Sequence, residues 1–223
     1  MASLGYQLHN IRTQIAKPQT KIFFIGYNKC GTTSLHHLLA SAGIRSVHYR
    51  APVIDVNALR PFKPFQRIHL SLAGEIVQRT SDISALKKLL DRYTAFSDLF
   101  YYSENSQIEA AGLFEVFHQL YPDAFFILND RDENKWISSR VKHDNGSLLE
   151  RAMHYYQSDA ESVVSTWRAQ RIKHIEKVLS FFHGHRRFLH FRIDNDDIGG
   201  VIQHLSPDFR VSEKDWTIRN KTM

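Results

Sequence analysis

The segment Gly26-Tyr27-Asn28-Lys29-Cys30-Gly31-Thr32-Thr33-Ser34 combines two glycines, one lysine and three consecutive Thr or Ser hydroxyls. That combination suits an anion. Main-chain N–H groups at the start of a helix can cradle a phosphate, Lys29 can neutralise it, and Thr32, Thr33 and Ser34 can donate hydroxyl hydrogen bonds. A second polar cluster, Asn129-Asp130-Arg131-Asp132, precedes Trp136-Ile-Ser-Ser-Arg140. There Arg131 can grip another phosphate through paired N–H donors and Ser139 through its hydroxyl. The first loop is not of the nucleotide triphosphatase type, because Gly-x-x-x-x-Gly is followed by Thr32 where the lysine for the β and γ phosphates would stand. It also lacks the Gly-x-Gly-x-x-Gly spacing of a dinucleotide fold. A plain strand-to-helix turn with an exposed lysine and hydroxyl caps would use the same residues.

The elements around the two clusters decide whether they can meet. KIFFIGY (Lys21–Tyr27) is an unbroken apolar run leading into the first cluster, and Leu35, Leu38, Leu39 and Ala42 after it fall at helical spacing. AFFILN (Ala124–Asn129) leads in the same way into the second. SVHY, TAFSDLF and RRFLHFRI supply further short strands, and the proline-punctuated stretch from Ala51 to about Phe65 reads as an irregular connection. Two short helices are expected between Ser71 and Tyr93. Another is expected in EAAGLFEVFHQLYPD, one after Asp130, two more in 148–182 with a break near Ser158, and a last short one in GGVIQHLS. Strands alternating with helices predict an α/β fold, a P-loop-containing mostly parallel sheet with helices on both faces. In such a sheet ligands collect at the carboxyl ends of the strands, so both clusters can face one molecule.

The chain has 223 residues, of which 43% are hydrophobic, enough for one substantial core; with no internal repeat or linker, 1–223 is read as a single domain. Lys and Arg number 29 against 23 Asp and Glu, a net charge of +6 that would attract an anion without saying which. The basic residues are dispersed, and no recognition helix or stacking surface gathers them, which argues against nucleic acid. One cysteine excludes an internal disulfide and a multi-cysteine zinc site, and the absence of a long apolar run argues against a membrane span, so a cytoplasmic setting is expected. No His-Glu-x-x-His motif proposes a metal.

The ordered pair GYNKCGTTS and FFILNDRDENKWISSR resembles the two donor-binding signatures of the sulfotransferases that use 3′-phosphoadenosine 5′-phosphosulfate (PAPS). The elements GLFEVFHQLYPDAFFIL, TAFSDLF, HIEKVLSFF, RRFLHFRI and RNKT are similar to those of the smaller intracellular-type members, whereas 51–90 matches weakly. The resemblance implies that Lys29, Cys30, Gly31, Thr32, Thr33 and Ser34 hold the 5′-phosphosulfate, and that Arg131 and Ser139 hold the 3′-phosphate. Two departures stand out: Glu133 replaces the family's frequent proline and adds negative charge near an anion site, and Cys30 replaces a frequent serine or glycine.

In-line sulfuryl transfer to a hydroxyl or amine of a small acceptor, carbohydrate-like ones included, needs charge stabilisation at the transferring group and a base for the acceptor's proton. Lys29 is the candidate for the first. For the second the resemblance favours Asp98 in AFSDLF, with His48 as runner-up because an ordinary imidazole titrates nearer neutrality. The bland roles are a cap for Asp98 and an ordered sheet edge for His48. Trp136 can pack the core or stack an adenine. The acceptor pocket is expected from 51–90 and from the residues after Arg140. A P-loop kinase of small metabolites and a noncatalytic nucleotide-binding protein are the alternatives.

Overall fold

The computed structural model describes residues 20–54 and 67–218. Within them the strands are β1 (Ile22–Phe24), β2 (Ser46–His48), β3 (Arg50–Ile54), β4 (Arg67–Ser71), β5 (Ala95–Ser97), β6 (Phe100–Ser103), β7 (Ser106–Glu109), β8 (Phe125–Asp130) and β9 (Phe188–Arg192). The helices are α1 (Thr32–Ser41), α2 (Leu72–Gln78), α3 (Ile83–Leu90), α4 (Phe114–Leu120), α5 (Glu133–Val141), α6 (Ser147–Tyr156), α7 (Ala160–Phe181) and α8 (Ile198–Leu205). Ala110–Leu113 and Glu213–Asp215 form 3-10 turns.

The sheet runs β4-β3-β2-β5-β1-β8-β9. β2, β5, β1, β8 and β9 are parallel, and β3 and β4 extend the sheet antiparallel. Successive side chains of a strand point to opposite faces, so the apolar runs bury both. Phe23, Phe96 and Phe126 pack with Phe114, Phe117 and Phe182 on one side. Ile22, Phe24, Phe125 and Ile127 pack with Leu35, Leu38, Val201 and Leu205 on the other. The α/β architecture with a mostly parallel, doubly covered sheet is therefore present. From β1 the chain leads toward β2, and from β8 it leads toward β9 on the opposite side, so the crevice at their carboxyl ends is a topological switch point.

Three elements differ from the sequence expectation. The stretch after Tyr49 is not wholly irregular: Arg50–Ile54 pairs with Arg67–Ser71, while 55–66 lies outside the described residues. Pro52 is tolerated there because β2 meets β3 through His48 and Arg50 alone, which leaves most of β3 paired on one side. A hairpin, β6–β7, turns at Glu104-Asn105 outside the main sheet. The helix expected across EAAGLFEVFHQLYPD opens as a 3-10 turn and is α-helical over α4 alone. The two helices expected in 148–182 are α6 and α7, separated at 157–159. No helix of the described residues is long and apolar enough to cross a membrane.

Gly26 shows how tightly β1 and β8 converge. A Cβ there would lie 1.8 Å from the carbonyl oxygen of Asn129, a backbone atom that cannot swing away. Gly26→Ala should cost about 1–3 kcal/mol or more through overpacking, read as a lowered urea midpoint with unchanged slope.

Candidate functional site

Between β1 and α1 the chain turns through the glycine-bearing loop, pinned from below by β8. The Asn129 side chain accepts the Gly26 N–H at 3.0 Å and donates to the Cys30 carbonyl at 3.0 Å. The Trp136 indole N–H donates to the Asn28 carbonyl at 2.9 Å. Gly31 precedes α1 with φ 75°, a left-handed conformation that calls for glycine, and a Cβ there would sit 2.1 Å from Ile193 Cδ1, a side-chain end that would have to shift. Two candidate roles change in consequence. Trp136 is fully buried and packs beneath the loop, which removes it from adenine stacking. The Cys30 side chain is buried in the same cluster, and burial pushes its thiol well above its ordinary pKa; any contact it makes with an anion falls to its main chain.

A cavity of about 620 Å³ opens over the strand ends, within the range of ligand sites. Every other candidate lines it: Lys29, Gly31, Thr32, Thr33, Ser34, His48, Asp98, Arg131 and Ser139. Arg131 points one guanidinium nitrogen at the Lys29 carbonyl (3.4 Å) and its Nε at Asp194 (3.6 Å). Asp194 is itself held by the Asp132 N–H at 2.9 Å and Lys135 at 3.2 Å. The Glu133 carboxylate is paired with Arg168 at 3.1 Å and Arg171 at 3.8 Å on α7. Its departure from the family pattern is thereby offset.

The three adjacent strands β5, β1 and β8 carry Asp98, Lys29 and Arg131 just beyond their ends. Lys29, Tyr49 and Asp98 have left-handed backbones (φ 67°, 57° and 55°) although none is glycine, and all three line the cavity. Such strain concentrates where a structure fixes functional side chains. Lys29 Nζ lies 3.1 Å from His143 Nδ1; burial lowers its pKa, with Asp98 opposing and Arg131 assisting. His48 Nε2 lies 3.3 Å from Thr32 Oγ1, 3.4 Å from Thr33 Oγ1 and 3.4 Å from Asp98 Oδ2.

Burial reverses the ordinary acid–base order of that last pair. It pushes Asp98 up to about 7 against the pull of Lys29 and Arg140. It brings His48 down to about 4, aided by His36, His37 and Lys29. Asp98, rather than His48, therefore titrates near neutrality. Beneath them Arg140 is buried among Phe100, Trp136 and Trp167, with Glu109 at 3.9 Å, itself pushed up to about 8 by burial.

Other cavity residues escaped sequence reasoning. Tyr49, Phe100 and Tyr102 come from the end of β2 and from the hairpin, and Ile193 and Asp194 follow β9. The last two carried a usable signal, since a strand beside β8 must also deliver its carboxyl end to the crevice. The residues after Arg140 do contribute, as expected, through His143, Leu148 and Arg151.

Residues 21–188 match a family model described as a sulfotransferase domain. No curated protein matches the chain at a significant level.

Proposed function

This chain belongs to the sulfotransferase family, and from that premise we propose that it moves a sulfuryl group from PAPS to a hydroxyl or amine of a small acceptor in the cytoplasm. The observation that carries the reading is the row of Asp98, Lys29 and Arg131 at three neighbouring strand ends over one cavity. Two separate cations, with the hydroxyls of Thr32, Thr33 and Ser34 between α1 and the cavity, suit a molecule bearing two phosphates. Thr32, at the position of the missing P-loop lysine, contacts His48 and disfavours a kinase.

The donor, when bound, supplies the sulfuryl group: its S–O bond to the 5′-phosphate breaks as the acceptor atom bonds sulfur, and the electron pair leaves with adenosine 3′,5′-bisphosphate. Lys29 and the loop N–H groups stabilise the negative charge growing at the departing oxygen. Arg131 and Ser139 fix the 3′-phosphate, which holds the reacting end in line. Asp98 receives the acceptor's proton, and His48, neutral above about pH 4, orients its carboxylate.

Calorimetry on the wild-type chain tests the donor. Adenosine 3′,5′-bisphosphate should bind more tightly than ATP with magnesium by about 100-fold, or about 2.8 kcal/mol. Preference for ATP would sink the assignment.

A further inference from the structure

Three basic Lys or Arg side chains line the cavity: Lys29, Arg131 and Arg151. The donor reading uses the first two. Arg151 stands on α6, one turn beyond Leu148, and α6 packs against β6, whose Phe100 and Tyr102 complete the same wall. Other arginines nearby have acidic partners: Arg131 has Asp194, Arg140 has Glu109, and Arg171 has Asp130. Among the described residues Arg151 forms no ion pair, and its buried Nε has no hydrogen-bond partner.

The Tyr102 hydroxyl is in the same condition. Tyr102 is more than nine-tenths buried, lines the cavity, and its OH is buried without a partner. A buried donor left unpaired is destabilising, and more so when the group is charged. Two such donors on one wall await an acceptor of hydrogen bonds. Among the described residues neither carboxylate that lines the cavity pairs with Arg151 or Tyr102: Asp98 turns Oδ2 to His48, and Asp194 faces Arg131 and Lys135. A guanidinium beside a phenol fits a carboxylate, and the flanking rings of Phe100 and Tyr102 with Leu148 fit a flat apolar body.

We propose that Arg151 and Tyr102 bind a carboxylate on the acceptor, so that the enzyme prefers hydroxylated ring compounds that carry an acid group. This rests on the sulfotransfer reading. The acid group anchors, the hydroxyl oxygen forms the new bond to sulfur, and its proton goes to Asp98.

The test uses labelled PAPS with para-hydroxyphenylacetate and its neutral amide, para-hydroxyphenylacetamide, on wild type, Arg151→Leu and Tyr102→Phe. Wild type should favour the acid by about 10- to 100-fold in kcat/KM, the range of a hydrogen-bonded charge. Arg151→Leu should bring that ratio close to one, and Tyr102→Phe should lower it by about fivefold. Bisphosphate affinity, measured alongside, separates the two readings. Equal use of acid and amide by wild type overturns the inference, as does an Arg151→Leu variant whose bisphosphate affinity falls as far as its turnover of the acid. Bisphosphate binding with transfer to neither probe overturns the acceptor proposal and leaves the donor reading standing. Loss of both binding and transfer in wild type overturns both.

Discussion

Lys29→Ala is expected to lower kcat by about 10²–10³-fold, the loss typical when one preorganised donor to a developing oxyanion is removed. The ammonium belongs to the loop between β1 and α1, so no neighbouring cation can take its place without moving a strand end. Binding of adenosine 3′,5′-bisphosphate should weaken far less, by about tenfold, because in the proposed donor site Arg131 and Ser139 hold the other phosphate and charge on the product is spread over both. The fold should survive. The side chain's hydrogen bond goes to an exposed contact with His143, and alanine adopts the φ of 67° at a cost similar to lysine's. Single-turnover rates with labelled donor, paired with calorimetry of the bisphosphate, separate the two effects. Turnover within a few-fold of wild type would remove Lys29 from the chemistry.

How much of this site the sequence disclosed depends on whether a residue's role is local. Lys29 and Thr32–Ser34 were visible because a strand, a glycine and a helix start lie in one short segment. Arg131 and Ser139 were visible because they follow a second buried strand within one short segment. Joining the two clusters required the parallel pairing of β1 with β8, which the apolar runs implied. Tyr102 and Arg151 were hidden for a different reason. The hairpin β6–β7 pairs with itself outside the main sheet, and Phe100 and Tyr102 are buried while β7 is half-buried, with α6 and α2, remote in sequence, packed against it. A run such as FYYS carries no period that separates a cavity wall from a core strand. The acid–base order of His48 and Asp98 was hidden as well, since side-chain type gives the starting pKa and burial sets the outcome.

That reversal carries the other large prediction. Asp98→Asn should lower kcat/KM by about 10²–10⁴-fold, the range of general-base contributions, and should abolish the acidic limb of the pH profile. In wild type, kcat/KM should rise tenfold per pH unit and level off above about 7, as the Asp98 carboxyl loses its proton. A base at His48 would instead level off near 4. Asparagine tolerates the left-handed φ of 55° that residue 98 adopts, so the substitution changes charge with little change of backbone. Stability should move the opposite way from activity. Because the folded-state pKa of Asp98 is raised from 3.8 to about 7, the native chain holds a proton that the unfolded chain releases between those values. The wild type therefore loses stability as pH rises from about 4 to 7, by on the order of 2–4 kcal/mol, whereas the asparagine variant has no such loss from this site. Denaturant midpoints of the two proteins should converge near pH 4 and separate by pH 8, with the inactive variant the more stable. Midpoints that stay parallel across this range would mean that Asp98 is not a buried carboxylate forced to ionise, and the proton acceptor would have to be sought elsewhere in the cavity.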